Sequence, residues 1–116
     1  MSASAAQYAA FYAEALQGGE VWTVRDAKGY PAPETTTGSR AMPFWSKRSR
    51  AERIVATAPA YAGFEVVPVP LDAFRDRWLP GLERDGLLVG VNWSGERATG
   101  YDVAPTAVQQ TLAANA

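Results

Sequence analysis

Four cations crowd the stretch WSKRSRAER, where Lys47, Arg48, Arg50 and Arg53 follow closely on Trp45. Cations at a helix start oppose the macrodipole, at a cost of a few tenths to about 1 kcal/mol each. Basic side chains beside the free N–H groups of a first helical turn also form an environment suited to an anion. A phosphate, a sulfate, a nucleotide or a partner carboxylate is the ligand such a start would take. The competing expectation is a solvated basic face. Trp45 and Trp93, each at a strand end, are either surface anchors for a partner or residues that close the ends of the core. The candidate anion- or partner-binding residues are therefore Trp45, Lys47, Arg48, Arg50, Arg53 and Trp93.

Catalytic chemistry is hard to assemble from what remains. The chain has no histidine and no cysteine, which removes serine and cysteine triads, thiol chemistry and almost all zinc sites. Ser46, Ser49 and Ser94 could pair with Lys28 or Lys47 only in principle, because their settings are those of caps and turns. Asp72 with Asp76 and Glu83 with Asp85 form carboxylate pairs, yet Arg75, Arg77 and Arg84 lie among them. Solvated ion pairs are expected there instead of the cleft that glycosidase chemistry requires. Neither a P-loop nor a G-x-G-x-x-G run occurs. No catalytic residue, metal ligand or cofactor is assigned.

The chain has 116 residues, 47% hydrophobic and 20% charged, with a net charge of −1. A domain of this length buries roughly 65% of its unfolded surface, enough for a core without disulfides or metals. One domain is expected, spanning 1–116. Near-neutral charge speaks against nucleic acid or an anionic membrane as the partner of the whole molecule. No apolar run approaches the ~20 residues of a membrane span. The start MSASAAQYAAFYAEALQGG lacks the basic beginning of a secretory signal. A cytoplasmic protein is expected.

The elements that must position these residues are organised around FEVVPVPLDAFRDRWLPGLERDGLLVGVNW. Glu65 to Val69 is a β-branched run closed by Pro68 and Pro70, which place it at a sheet margin. Leu71, Phe74 and Trp78 share one helical face. Pro80 should break that helix, with a second turn from Pro80 to Asp85 stopped by Gly86. Leu87, Val89, Val91 and Trp93 should share one face of the next strand, with Leu88, Gly90 and Asn92 on the other. The two strands are far enough apart for a right-handed parallel crossover, with an antiparallel return as the alternative.

Upstream, Ser4 is a candidate N-cap for a helix through Leu16 whose stripe is Tyr8, Phe11, Tyr12, Ala15 and Leu16. Val21 to Arg25 reads as a strand, residues 34–40 as a loop or hairpin tip, and Ala41 to Trp45 as extended. Ser49 with Glu52 reads as a capping box that starts a helix at Arg50. After Trp93 a turn leads to the partner strand of a terminal hairpin, and Pro105 opens a last helix with Val108 and Leu112 inward. Of the tryptophans, Trp22 and Trp78 are the ones most simply read as core. The expectation is an α+β domain with about five strands in one mixed sheet and helices packed mainly on one face.

The order EVWTVRDAKGY, MPFWSKRSRAE, GFEVVPVPLDAFRDRWLPGLERDGLLVGV and a proline-capped terminal helix resembles a small bacterial family, domain of unknown function 2750. The resemblance covers most of the chain, and LDAFRDRWLPGLERDG is its most specific part. It implies no activity, cofactor or catalytic residue. The succession of a capped helix, a V-P-L strand–helix unit and a strand ending in Asn is also similar to the N-terminal domain of the enhanced-serine-sensitivity family. Where the first family tends to have an acidic residue after Trp45, this chain has Lys47, Arg48 and Arg50. A non-catalytic protein-binding module, an adaptor or an inhibitor, is the function expected. The alternative is a small-molecule or anion-binding domain at the basic helix start, and the oligomeric state is left open.

Overall fold

Proline placement decides how the strands divide. The computed structural model describes residues 3–116. In chain order these form α1 (Ala3–Gly18), β1 (Glu20–Arg25), β2 (Ala41–Phe44), α2 (Arg48–Thr57), β3 (Glu65–Pro70), α3 (71–84), β4 (Leu88–Ser94), β5 (Thr99–Val103) and α4 (Pro105–Asn115). β1 pairs antiparallel with β3, and β4 lies between a parallel β2 and an antiparallel β5. The domain is α+β, but its strands form two small sheets rather than one of five strands. β1 and β2 meet at a single antiparallel pair, Trp22 and Trp45, which exchange two hydrogen bonds of 2.7 Å. The next doubly bonded pair would set Val24 against Pro43, which has no N–H to give, so the ladder ends there. The Thr23 hydroxyl donates to the carbonyl of Pro43 instead, at 2.9 Å.

β3 is a margin, as its prolines require. Because Trp22 turns its backbone toward β2, the residues of β1 bonded to β3 are Val21, Thr23 and Arg25, opposite Val69, Val67 and Glu65. Pro68 and Pro70 therefore turn their nitrogens to the outer edge, where a missing N–H costs nothing and a further strand cannot add. The expected crossover from β3 to β4 does not form. β3 and β4 lie in different sheets, and α3 carries the chain from one to the other. The strand parallel to β4 is β2.

Pro80 does not break α3. The turn Phe74–Trp78 widens to π geometry, with the Leu79 N–H bonded to the Phe74 carbonyl, and the helix continues through Leu79–Arg84. In that register Pro80 leaves the Arg75 carbonyl without its donor. Gln109 of α4 supplies one, its Nε2 donating at 2.7 Å. Gly86, at φ 71°, ends the helix, with the Leu87 N–H donating to the Leu82 carbonyl at 2.9 Å.

Side chains gather on the two faces of the strands. Phe11, Tyr12, Phe44, Phe74, Leu79, Val89, Val91, Val108 and Leu112 form the larger core beneath α1, α3 and α4. Val24, Ala41, Trp45, Ala51, Ile54, Tyr61 and Trp93 form the second beneath α2. Three of the four helices among the described residues thus share one face. Trp93 is on the wrong face for simple alternation. Asn92 adopts φ 48°, a left-handed backbone within the strand, and the β4–β5 register shifts between Val91 and Ser94. This bulge carries Trp93 away from Val89 and Val91 to the side of Leu88 and Gly90. Trp22 and Trp78, read as core, pack against the two clusters from partly buried positions. Trp45 and Trp93 are buried.

Room for the displaced indole comes from two glycines. A Cβ on Gly90 would stand 2.4 Å from the Trp93 ring, and one on Gly100 would stand 3.1 Å from it. Gly90→Ala should therefore lower stability by about 1–3 kcal/mol as an overpacking change. Urea denaturation checks this, and an unchanged midpoint would show that the indole does not lie over Gly90.

Candidate functional site

The residues predicted as one site are split between two structural duties. α2 begins at Arg48 with Lys47 as its N-cap, extended at φ −139° and ψ 146°, and no side chain caps it. Ser49 lies inside the helix, so the Ser49/Glu52 capping box does not form. Ser4 likewise lies within α1. Glu52 instead accepts from Arg48 Nε at 3.1 Å, and the Arg48 guanidinium stands 5.5 Å over the Trp22 ring. Trp45 is fully buried, its indole N–H donating to the Trp93 carbonyl at 2.8 Å. It closes the core and is not a surface anchor. Arg50, Arg53, Trp45 and Trp93 line one small cavity of about 40 Å³ with Gln7 and Asn92, while Lys47 and Arg48 stand outside it.

Arg50 is held by the protein itself. Its Nε and Nη2 donate to the two oxygens of Glu14 at 2.8 and 2.9 Å, and its Nη1 to the side-chain oxygen of Gln7. From Glu14 the connections continue. The Ser46 hydroxyl donates to Glu14 at 2.7 Å, Asn92 Nδ2 donates to Ser46 at 2.9 Å and to the Gln7 carbonyl at 3.0 Å. Asn92 Oδ1 accepts the Ser46 N–H at 2.9 Å. The result is a closed ring through Gln7, Asn92, Ser46, Glu14 and Arg50, which ties α1, the entry to α2 and β4 together. Every charge in it is paired, as a half-buried network needs. Gln7 and Glu14 stand seven residues apart, two turns along one helix face, and that spacing is the sequence signal for their joint role.

The predicted carboxylate pairs build no cleft. Asp72, Asp76, Glu83 and Asp85 are all exposed, and none is ion-paired to an arginine among the described residues. Asp72 serves as a first-turn acid, accepting the Ala73 N–H at 2.8 Å.

A second place was not legible beforehand. Beside the flipped Trp93, a slot of about 270 Å³ is lined by Glu34, Thr35, Tyr61, Arg97 and Asp102. The Trp93 indole N–H donates to Asp102 Oδ1 at 3.0 Å. Partial burial raises the Asp102 carboxyl above its ordinary range, an effect the indole N–H offsets only in part. Next to the slot runs the outer edge of β5. The Leu88 N–H bonds to Arg40, so Val89 and Val91 turn toward β5 and pair with Val103 and Tyr101. Gly100 and Asp102 consequently turn their N–H and C=O groups outward, where no strand lies among the described residues. A groove of about 460 Å³ borders this edge, with Tyr8, Thr37 and Leu88 in its lining.

A family model matches residues 8–112, from α1 to α4, and its description is protein of unknown function, DUF2750. The chain belongs to the DUF2750 family. The bulge, the slot beside Trp93 and every member of the ring but Gln7 fall within the part of this DUF2750 protein that the family model matches. No curated protein matches the chain. No helix among the described residues is long and apolar enough to cross a membrane.

The ring has a pH signature. Hydrogen bonds from Arg50 hold the Glu14 carboxyl below its ordinary value of 4.5, against the opposing effect of burial. A depressed folded-state value gives stability that is present above the unfolded value and is lost as pH falls through the folded one. Glu14→Gln should thus cost about 1–2 kcal/mol near neutral pH. The gap from wild type should narrow steadily below pH 4.5. Denaturant titrations of both proteins at several pH values check this, and a gap constant with pH would contradict it.

Proposed function

We propose that this DUF2750 protein is a non-catalytic protein-binding module that takes an extended segment of a partner along the outer edge of β5. The observation that carries this reading is the contrast between the two free strand edges. Pro68 and Pro70 close the edge of β3, whereas Gly100 and Asp102 leave two donors and two acceptors open on β5, beside a groove. Unpaired backbone groups at a sheet edge are a template for strand addition. β5 is short and carries one charge, so a segment adding to it would be held by a few backbone bonds and by its side chains. The absence of histidine and cysteine and the lack of converging catalytic groups among the described residues support a binding role over a catalytic one.

A small anion at the start of α2 is the second reading. Lys47, exposed at the N-cap, is the observation in its favour. Arg48 and Arg50 already have carboxylate partners, so an anion there would compete with Glu52 and Glu14.

The strand-addition reading is tested by backbone NMR. A protein captured from the source lysate, purified and added to the labelled chain, should shift and protect the Gly100 and Asp102 amides while leaving the β2–β4 ladder unchanged. Shifts centred on Lys47 and Arg48 would favour the anion or carboxylate reading. Shifts around Tyr30 and Trp78, whose rings meet edge-on at 5.0 Å, would place the contact on another face. Protection of Gly100 and Asp102 in the protein alone, with a dimer in sedimentation, would make the occupant a second copy.

A further inference from the structure

We infer that the slot beside Trp93 receives a lysine or arginine side chain of the segment that pairs with β5. This inference rests on the strand-addition reading and names the residue type that the site selects. Cross-strand neighbours share a face, so a residue opposite Gly100 or Asp102 on an added strand would project on the same side as the Asp102 side chain. That side is the one on which Trp93 lies, across Gly90 and Gly100. The side chain at that position would enter the slot.

The lining fits a cation on an aliphatic stem. Trp93 and Tyr61, both nearly buried, contribute aromatic edges to the lining. Aromatic surface holds the methylene stem of such a side chain and attracts its charged end. Asp102 uses one oxygen for the Trp93 indole N–H, and its second oxygen has no hydrogen-bond partner among the described residues. Glu34 brings a second carboxylate to the rim. Arg97 also lines the slot but is ion-paired with neither acid, leaving one negative charge in excess among these three groups. An incoming ammonium or guanidinium would balance it. A carboxylate would meet two like charges, and a neutral stem would leave Asp102 as it stands.

Nα-acetyl-lysine amide probes the slot without requiring strand addition. Titrated into the labelled protein, it should give a saturable shift of the Trp93 indole N–H resonance, assigned with Trp93→Phe. Asp102→Asn and Glu34→Gln should each weaken that binding, with a loss of about fivefold for Asp102. Nα-acetyl-norleucine amide, which keeps the stem and lacks the charge, should bind more weakly than the lysine amide. Equal shifts from the two amides, no saturable shift, or Asp102→Asn binding as well as wild type would each overturn the inference. Protection of Gly100 and Asp102 by a partner alongside any of those results would leave strand addition standing and refute only the cationic selection. A lysine-amide response without protection by any partner would refute strand addition and leave the slot as a cation site.

Discussion

Asn92 holds a left-handed backbone inside a strand, and much of the molecule depends on its ability to do so. For a non-glycine residue that conformation costs about 1–2 kcal/mol. The side chain of Asn92, itself buried, offsets the cost by accepting the Ser46 N–H and donating to Ser46 and to the Gln7 carbonyl. Asparagine is among the few residues that enter this region readily, and its amide supplies both a donor and an acceptor. The same residue therefore bends β4, anchors α1 and fixes the entry to α2. Its neighbour is carried along. Trp93 crosses to the second core, where its carbonyl takes the Trp45 indole N–H and its own indole reaches Asp102.

The framework of the fold was legible where one periodicity ruled a segment. Phe74, Val89, Val91, Val108 and Leu112 were placed inward by spacing alone, and all are essentially buried. Gly86 as a helix stop and Pro68 with Pro70 as an edge signal were legible because each residue type leaves few backbone choices. The errors arose where a tertiary partner repaired a local defect. Pro80 reads as a break until Gln109 is available to bond the Arg75 carbonyl. Pro43 lies in a good extended pattern, yet its missing N–H matters only because β1 comes to lie beside it, and that pairing is not local.

Little of the candidate site was legible in the sequence, because the partners that give Arg50 and Trp93 their duties lie far away in the chain. Lys47, Arg48, Arg50 and Arg53 form a basic run on paper, but Glu14, far away in the chain, claims Arg50, and Glu52 claims Arg48. Trp93 reads in the sequence as a partner anchor or as a residue that closes the core; it is buried, on the face opposite to the one that the alternation of a regular strand implies. A bulge of one residue reverses every side-chain direction beyond it. The slot that results joins Glu34 and Asp102, which no pattern in the sequence relates. Membership in the DUF2750 family, by contrast, was carried by long contiguous phrases and is upheld over residues 8–112.

Hydrogen exchange of the tryptophan indoles in Asn92→Val tests the dependence on Asn92 most directly. A β-branched residue resists the left-handed region and supplies no amide. If the bulge rests on Asn92, the Trp93 and Trp45 indole protons, both buried and bonded in the native chain, should exchange much faster in the variant, while amides of Val89 and Val91 keep their protection. Indole exchange as slow as in the wild type would show that Trp93 reaches the second core without Asn92 and would contradict the dependence of the bulge on that residue.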